Sequence, residues 1–136
     1  MASQACYVRR VSARVLRGSC LCGEIVFEVD PPLARWVYCY CSRCRKATGT
    51  GRAANLYVAP QQLRWLAGAD RVSRFDLPTA RSFATAVCRR CGCPVPHPTR
   101  SGRELVVPAG SLDGHAAELP AVEHCEWESR APWVER

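Results

Sequence analysis

The sequence predicts a mainly β single domain of short antiparallel strands, and three observations carry that prediction. Apolar residues recur in short runs with period-two alternation, not at helical spacing. Glycine and proline, 9 and 10 residues respectively, cut the chain into those runs. No stretch keeps the period of a long amphipathic helix, so a sandwich or barrel-like arrangement of strands is expected. At 136 residues the chain makes one domain, with 1–16 as an N-terminal strand or extension and 17–134 as the folded unit.

The elements follow in order. Residues 11–17 form a β-branched, partly alternating run that stops at Gly18. Residues 24–29 alternate cleanly: Ile25, Phe27 and Val29 share one face, Glu24 and Glu28 the other, and Pro31 and Pro32 end the strand. Strands are expected at 36–39 and Ala53–Val58. Between them, 42–47 make one helical turn with Ser42 as its cap and Gly49 as its stop. Residues 59–63 are a second helical candidate, too short to stand alone. Residues 71–77 and 82–87 read as a pair around Pro78, and 105–107 and 124–127 complete the strands. Residues 129–136 are expected to strap across the surface, with Trp133 as the anchor.

Composition narrows the function classes. Hydrophobic residues make up 48% and charged residues 23%, which excludes a disordered chain. No apolar run approaches the roughly 18 residues of a membrane span. Residues 1–10 carry no stretch fit for a signal peptide, so the cytoplasm is the expected compartment. Net charge is +7, and Lys46 is the only lysine. Residues 1–109 hold 17 basic and 6 acidic groups, while 110–136 hold 2 and 6. That surplus reads first as a solvated basic surface. Its sharper reading is an anionic ligand, a small carboxylate-bearing molecule or nucleic acid, although no block of like charges forms a nucleic-acid arm.

Ten cysteines in 136 residues point in a reducing compartment to metal or thiol chemistry over disulfides. Seven fall in three clusters: Cys20 and Cys22; Cys39, Cys41 and Cys44; Cys88 and Cys91. In extended chain, residues i and i+2 point to one face, so each C-x-C aims two sulfurs at one point. Gly92 after Cys91 suits the left-handed or open conformation that a C-x-x-C turn needs. Two pairs make one closed zinc site, and the economical set is Cys20, Cys22, Cys88 and Cys91, a clip that would hold the fold together. Cys39, Cys41 and Cys44 remain as a three-thiolate set, either open at a fourth position or closed by Cys93, Cys125, His97 or His124. Cys6 reads as a bystander and Cys125 as a small core residue. His97, His115 and His124 share no metal spacing and read as surface or hydrogen-bonded residues.

The run Gly18-Ser19-Cys20-Leu21-Cys22-Gly23, followed by Cys39-Tyr40-Cys41-Ser42-Arg43-Cys44-Arg45-Lys46 and Gly49, resembles the glutathione-dependent formaldehyde-activating enzyme family, which includes centromere protein V. Cys88, Cys91 and Gly92, then Pro108 to Asp113, then Ala131-Pro132-Trp133 extend the likeness in family order over about 17–134. The resemblance implies a zinc-containing β-tent like that of the Mss4 group. It implies a structural zinc on Cys20, Cys22, Cys88 and Cys91 and a catalytic zinc on Cys39, Cys41 and Cys44. It also implies a carbon–sulfur lyase making or breaking a thiol–formaldehyde adduct such as S-hydroxymethylglutathione. One position departs: the family usually has histidine where this chain has Tyr40, which is not a family ligand position.

Three thiolates outweigh a Zn²⁺ ion by one charge, so a further thiolate needs positive groups nearby. Arg43, Arg45 and Lys46 lie in or beside the loop, and glutathione carries two carboxylates for which Arg43, Arg45 or Arg52 are natural clamps. Asn55 and Tyr57 are further candidates for the same pocket. The competing reading is a non-enzymatic, zinc-stabilised interaction module binding protein or nucleic acid.

Overall fold

A computed structural model of the chain describes residues 14–114 and 119–135. Cys6, His115 and the start of the expected first strand lie outside the described residues. Three sheets assemble. The first has the order β10-β1-β2-β5 and joins β1 (Leu16–Ser19), β2 (Val26–Val29), β5 (Leu63–Ala67) and β10 (Leu112–Asp113). The second, β11-β3-β4-β9-β8, joins β3 (Arg35–Cys39), β4 (Ala53–Val58), β8 (His97–Pro98), β9 (Leu105–Pro108) and β11 (Val122–Cys125). The third pairs β6 (Val72–Asp76) with β7 (Ala84–Cys88). The pairing is antiparallel except for β11, which runs parallel to β3.

One core joins the three sheets. Ile25 just before β2, with Phe27 and Val29 from the first sheet, meets Leu56, Val58, Leu105 and Val107 from the second and Ala86 and Cys88 from the third. Phe27 also meets Trp65 edge-on, ring centroids 6.0 Å apart. The alternation read in residues 24–29 is therefore realised: all three apolar residues are buried.

Several boundaries differ from the sequence reading. β1 does not stop before Gly18 but runs through it. A Cβ at Gly18 would lie 2.2 Å from Cζ of Phe27, so glycine leaves room for the core ring instead of ending the strand. The helix α1 (Ser42–Thr48) closes at Gly49 as expected, yet its cap is Cys41, whose Sγ accepts from the Cys44 N–H at 3.4 Å. Residues 59–63 give only a 3-10 turn, Pro60–Gln62, that leads into β5, a strand the sequence reading lacked. The last strand is Val122–Cys125, and Trp127 begins the 3-10 turn Trp127–Ser129. In the tail the buried residue is Ala131, whereas Trp133 stays 69% exposed with one edge on Gly51.

Candidate metal centres and an adjoining cleft

The four-thiol cluster forms where the β1–β2 turn meets the end of β7. Sγ of Cys20 lies 3.5 Å from that of Cys22, which lies 3.8 Å from that of Cys88. With Cys91, all four sulfurs fall within 4.8 Å of one another. Local backbone builds the nest. The Ile25 N–H donates to Cys20 Sγ at 3.3 Å, and the Gly92 N–H donates to the Cys88 carbonyl at 2.8 Å. Gly92 has φ +74°, the left-handed conformation that glycine adopts without cost. Four thiols this close cannot ionise together without a cation. Burial raises Cys91, yet the backbone N–H groups of Cys93 and Cys22 outweigh it and hold the thiol at about 6. The Glu24 N–H favours ionisation of Cys22, but burial and the three neighbouring thiols push it up to about 12.

The second cluster sits at the junction of β3 and α1. Cys39, Cys41 and Cys44 bring their sulfurs within 4.8 Å, and no other Cys, His, Asp or Glu among the described residues joins that group. None of the four candidates for a closing ligand joins the three sulfurs, although Cys125 sits beside Cys39 and both Cys93 and His97 line the neighbouring cleft. Cys93 donates its S–H to the Pro94 carbonyl at 3.3 Å, and His124 Nδ1 is 2.8 Å from the Tyr40 hydroxyl. Cys125 pairs with Cys39 in the β11–β3 register, and His97 lies on β8. Within the cluster, hydrogen bonding to the Cys44 thiol and then to Cys41 holds Cys39 down at about 6. The same contact, with burial, drives Cys44 far up. The donor set suits a thiophilic divalent ion, and zinc fits both clusters.

This cluster opens on a cleft of about 690 Å³. Strand register explains its near wall. Cys39 pairs with Ala53, Val37 with Asn55 and Arg35 with Tyr57, so Asn55 and Tyr57 project from the face that carries Cys39. Tyr57 is raised by burial, then by the nearby Cys44 thiol, and remains a protonated phenol at neutral pH. Residues 82–87 around β7 and residues 99–101 form the far wall. Among the described residues, the charged side chains lining the cleft are Arg43, Arg52 and Arg100, with no acid among them.

The three arginines read from the sequence part company. Arg43 lines the cleft, is exposed, and has no hydrogen-bonded partner among the described residues. Arg45 is turned away: its Nε donates to the Tyr40 carbonyl at 3.3 Å and its Nη2 to the Ser129 carbonyl at 3.5 Å. Arg52 contributes to the wall, but its guanidinium lies 3.4 Å over the Tyr38 ring and donates to the Tyr40 hydroxyl at 3.0 Å. Arg100 was not legible from any motif. Its Nη1 donates to the carbonyls of Leu77 and Ala80 at 3.0 and 2.8 Å, which fixes it at the rim.

The family model for "Glutathione-dependent formaldehyde-activating enzyme" matches residues 15–129. The chain belongs to that family. Among relatives of this formaldehyde-activating family, a Halomonas elongata protein named "Putative glutathione-dependent formaldehyde-activating enzyme" is 31% identical over 130 residues, covering 89% of this chain and 80% of its own. A crystal structure of a Rhodobacter sphaeroides protein superposes with a TM-score of 0.62 at 28% identity, over 79% of this chain and 98% of that one. Both thiol clusters lie within the segment that the family model matches. Among the described residues no helix is long and apolar enough to cross a membrane.

Proposed function

We propose that the protein is a zinc-dependent carbon–sulfur lyase acting on a thiol–aldehyde adduct such as S-hydroxymethylglutathione. The observation that carries this reading is the three-thiol cluster at an open cleft, with no fourth ligating side chain among the described residues. Cys20, Cys22, Cys88 and Cys91 would hold a structural zinc, and Cys39, Cys41 and Cys44 a catalytic one. When bound at the open cluster, zinc supplies the positive charge that keeps a substrate thiol ionised at neutral pH.

The chain's own residues would then bind and orient. Arg43, beside the cluster and without a partner among the described residues, offers a bidentate fork for one carboxylate of glutathione. Arg100 across the cleft stands ready for the other, since its Nη1 bonds hold it in place. Asn55 adds an amide to the near wall, and the protonated phenol of Tyr57 is a donor for the oxygen of the hemithioacetal. In the forming direction the thiolate sulfur bonds to the formaldehyde carbon, the carbonyl pair moves to oxygen, and a proton completes the hydroxyl. Cleavage reverses those steps. Arg45 takes no part in this scheme, because both its bonds go to backbone carbonyls away from the cleft.

The test is Cys41→Ser, with metal content and glutathione binding measured together. Loss of one zinc and of glutathione affinity is expected. Loss of one zinc with unchanged affinity would contradict the reading.

A further inference from the structure

We infer that Tyr40 is the positioning residue of the three-thiol loop: a hydrogen-bonded chain from Arg52 through Tyr40 to His124 fixes the direction in which Cys39 and Cys41 present their sulfurs. The inference rests on the proposed metal role of that loop, and it concerns residues on the opposite face of the sheet.

In extended backbone, neighbours alternate sides, so the side chain at position 40 points away from the face shared by 39 and 41. Whatever pins Tyr40 therefore orients both peptide planes that flank it. Tyr40 is pinned at every polar atom. Its N–H donates to the Cys125 carbonyl at 3.0 Å, and its carbonyl accepts from Arg45 Nε at 3.3 Å. Its hydroxyl meets Arg52 Nη1 at 3.0 Å and His124 Nδ1 at 2.8 Å. The ring is fully buried, stacked on His124 at 20° and edge-on to Trp127 at 4.9 Å.

A guanidinium only donates, so the Tyr40 oxygen accepts from Arg52. The same oxygen shares a second hydrogen bond with His124 Nδ1, whose direction follows the imidazole tautomer. Both ends of the chain are held against Tyr38: Arg52 by its ring, and His124 by β11, where it pairs with Tyr38. Three separate segments thus converge on one phenolic oxygen. Core filling alone does not require it, because phenylalanine has the same ring and would bury no hydroxyl. Outer groups that fix ligand direction tune metal affinity, and Tyr40 would do so through the backbone it shares with Cys39 and Cys41.

The experiment uses the zinc-loaded protein and follows metal release to a chromophoric chelator. The wild type should release two ions in separate phases, the slower from the four-thiol clip. In Tyr40→Phe the faster phase should accelerate about tenfold while the slower is unchanged, the clip serving as an internal control for folding. His124→Ala should reproduce the effect, and the double variant should be no worse than either single one, as members of one chain behave. The positioning role is overturned if Tyr40→Phe releases both ions at wild-type rates, if both phases accelerate together, or if the two substitutions add. A wild type that takes up only one ion removes the metal role of the loop, and this role with it, before any variant is made.

Discussion

Cys88→Ser probes the four-thiol clip through its topology. Cys22 and Cys88 are 66 positions apart, so an ion shared by the two pairs closes a long loop. In the chain-entropy treatment, a cross-link of about that loop length removes about 15 cal/mol/K from the unfolded ensemble, or about 4 kcal/mol at 25 °C. Domains of this size hold only about 7 to 15 kcal/mol in total. Only four residues separate Cys39 from Cys44, so an ion there links little that the backbone does not already link. Serine at 41 would also still cap α1. Expected, then, is that Cys88→Ser loses one metal equivalent and melts about 12 to 16 °C lower, at about 3 to 4 °C per kcal/mol. Cys41→Ser should lose one equivalent and melt within about 3 °C of wild type. Metal content by plasma mass spectrometry and melting by circular dichroism decide the matter. Full metal content in Cys88→Ser with an unchanged melt would refute the clip, and equal destabilisation by both variants would refute the topological argument.

Gly18→Ala should destabilise by about 2 to 3 kcal/mol, read from a urea titration, because its methyl would meet Phe27 at 2.2 Å and force the core ring to move. Phe27→Leu in the same chain should recover part of that loss. Arg43→Ala should weaken glutathione binding about fivefold by calorimetry, with the difference shrinking at 0.5 M salt as expected of an exposed charge. Arg45→Ala should do the reverse, lowering stability by about 1 kcal/mol through its lost backbone bonds and leaving glutathione affinity as it was. Cys93→Ser should retain both metal equivalents, since its sulfur is committed to the Pro94 carbonyl outside both clusters.

What could be read in advance was whatever depends on neighbours in the chain. The i, i+2 geometry of Cys20 with Cys22 and of Cys39 with Cys41, the left-handed turn at Gly92, and the bounds of Ala53–Val58 are all local, and all are found. The two sulfur groupings also followed, because each cluster had few partners to choose from. The illegible part was set at long range. Arg45 read as a carboxylate clamp, yet its guanidinium is shared between the Tyr40 carbonyl and the Ser129 carbonyl, the latter 84 positions away. Arg52 was likewise captured by Tyr38 and Tyr40, aromatic residues that the strand reading placed but could not orient. Arg100 reached the cleft only because residues 77–83 offer it carbonyls. The parallel pairing of β11 with β3 left no periodic trace, since a four-residue strand aligns in either sense with the same alternation.

That parallel strand also sets a timetable. β11 follows every other described strand in the chain, yet it backs the loop that carries Cys39 and Cys41. On the ribosome, all four sulfurs of the clip are available once Cys91 has emerged, while the loop must wait for His124 and Trp127 before its rear support exists. For the proposed zinc sites this means that every ligand of both clusters has been made before the strand that backs the open loop exists.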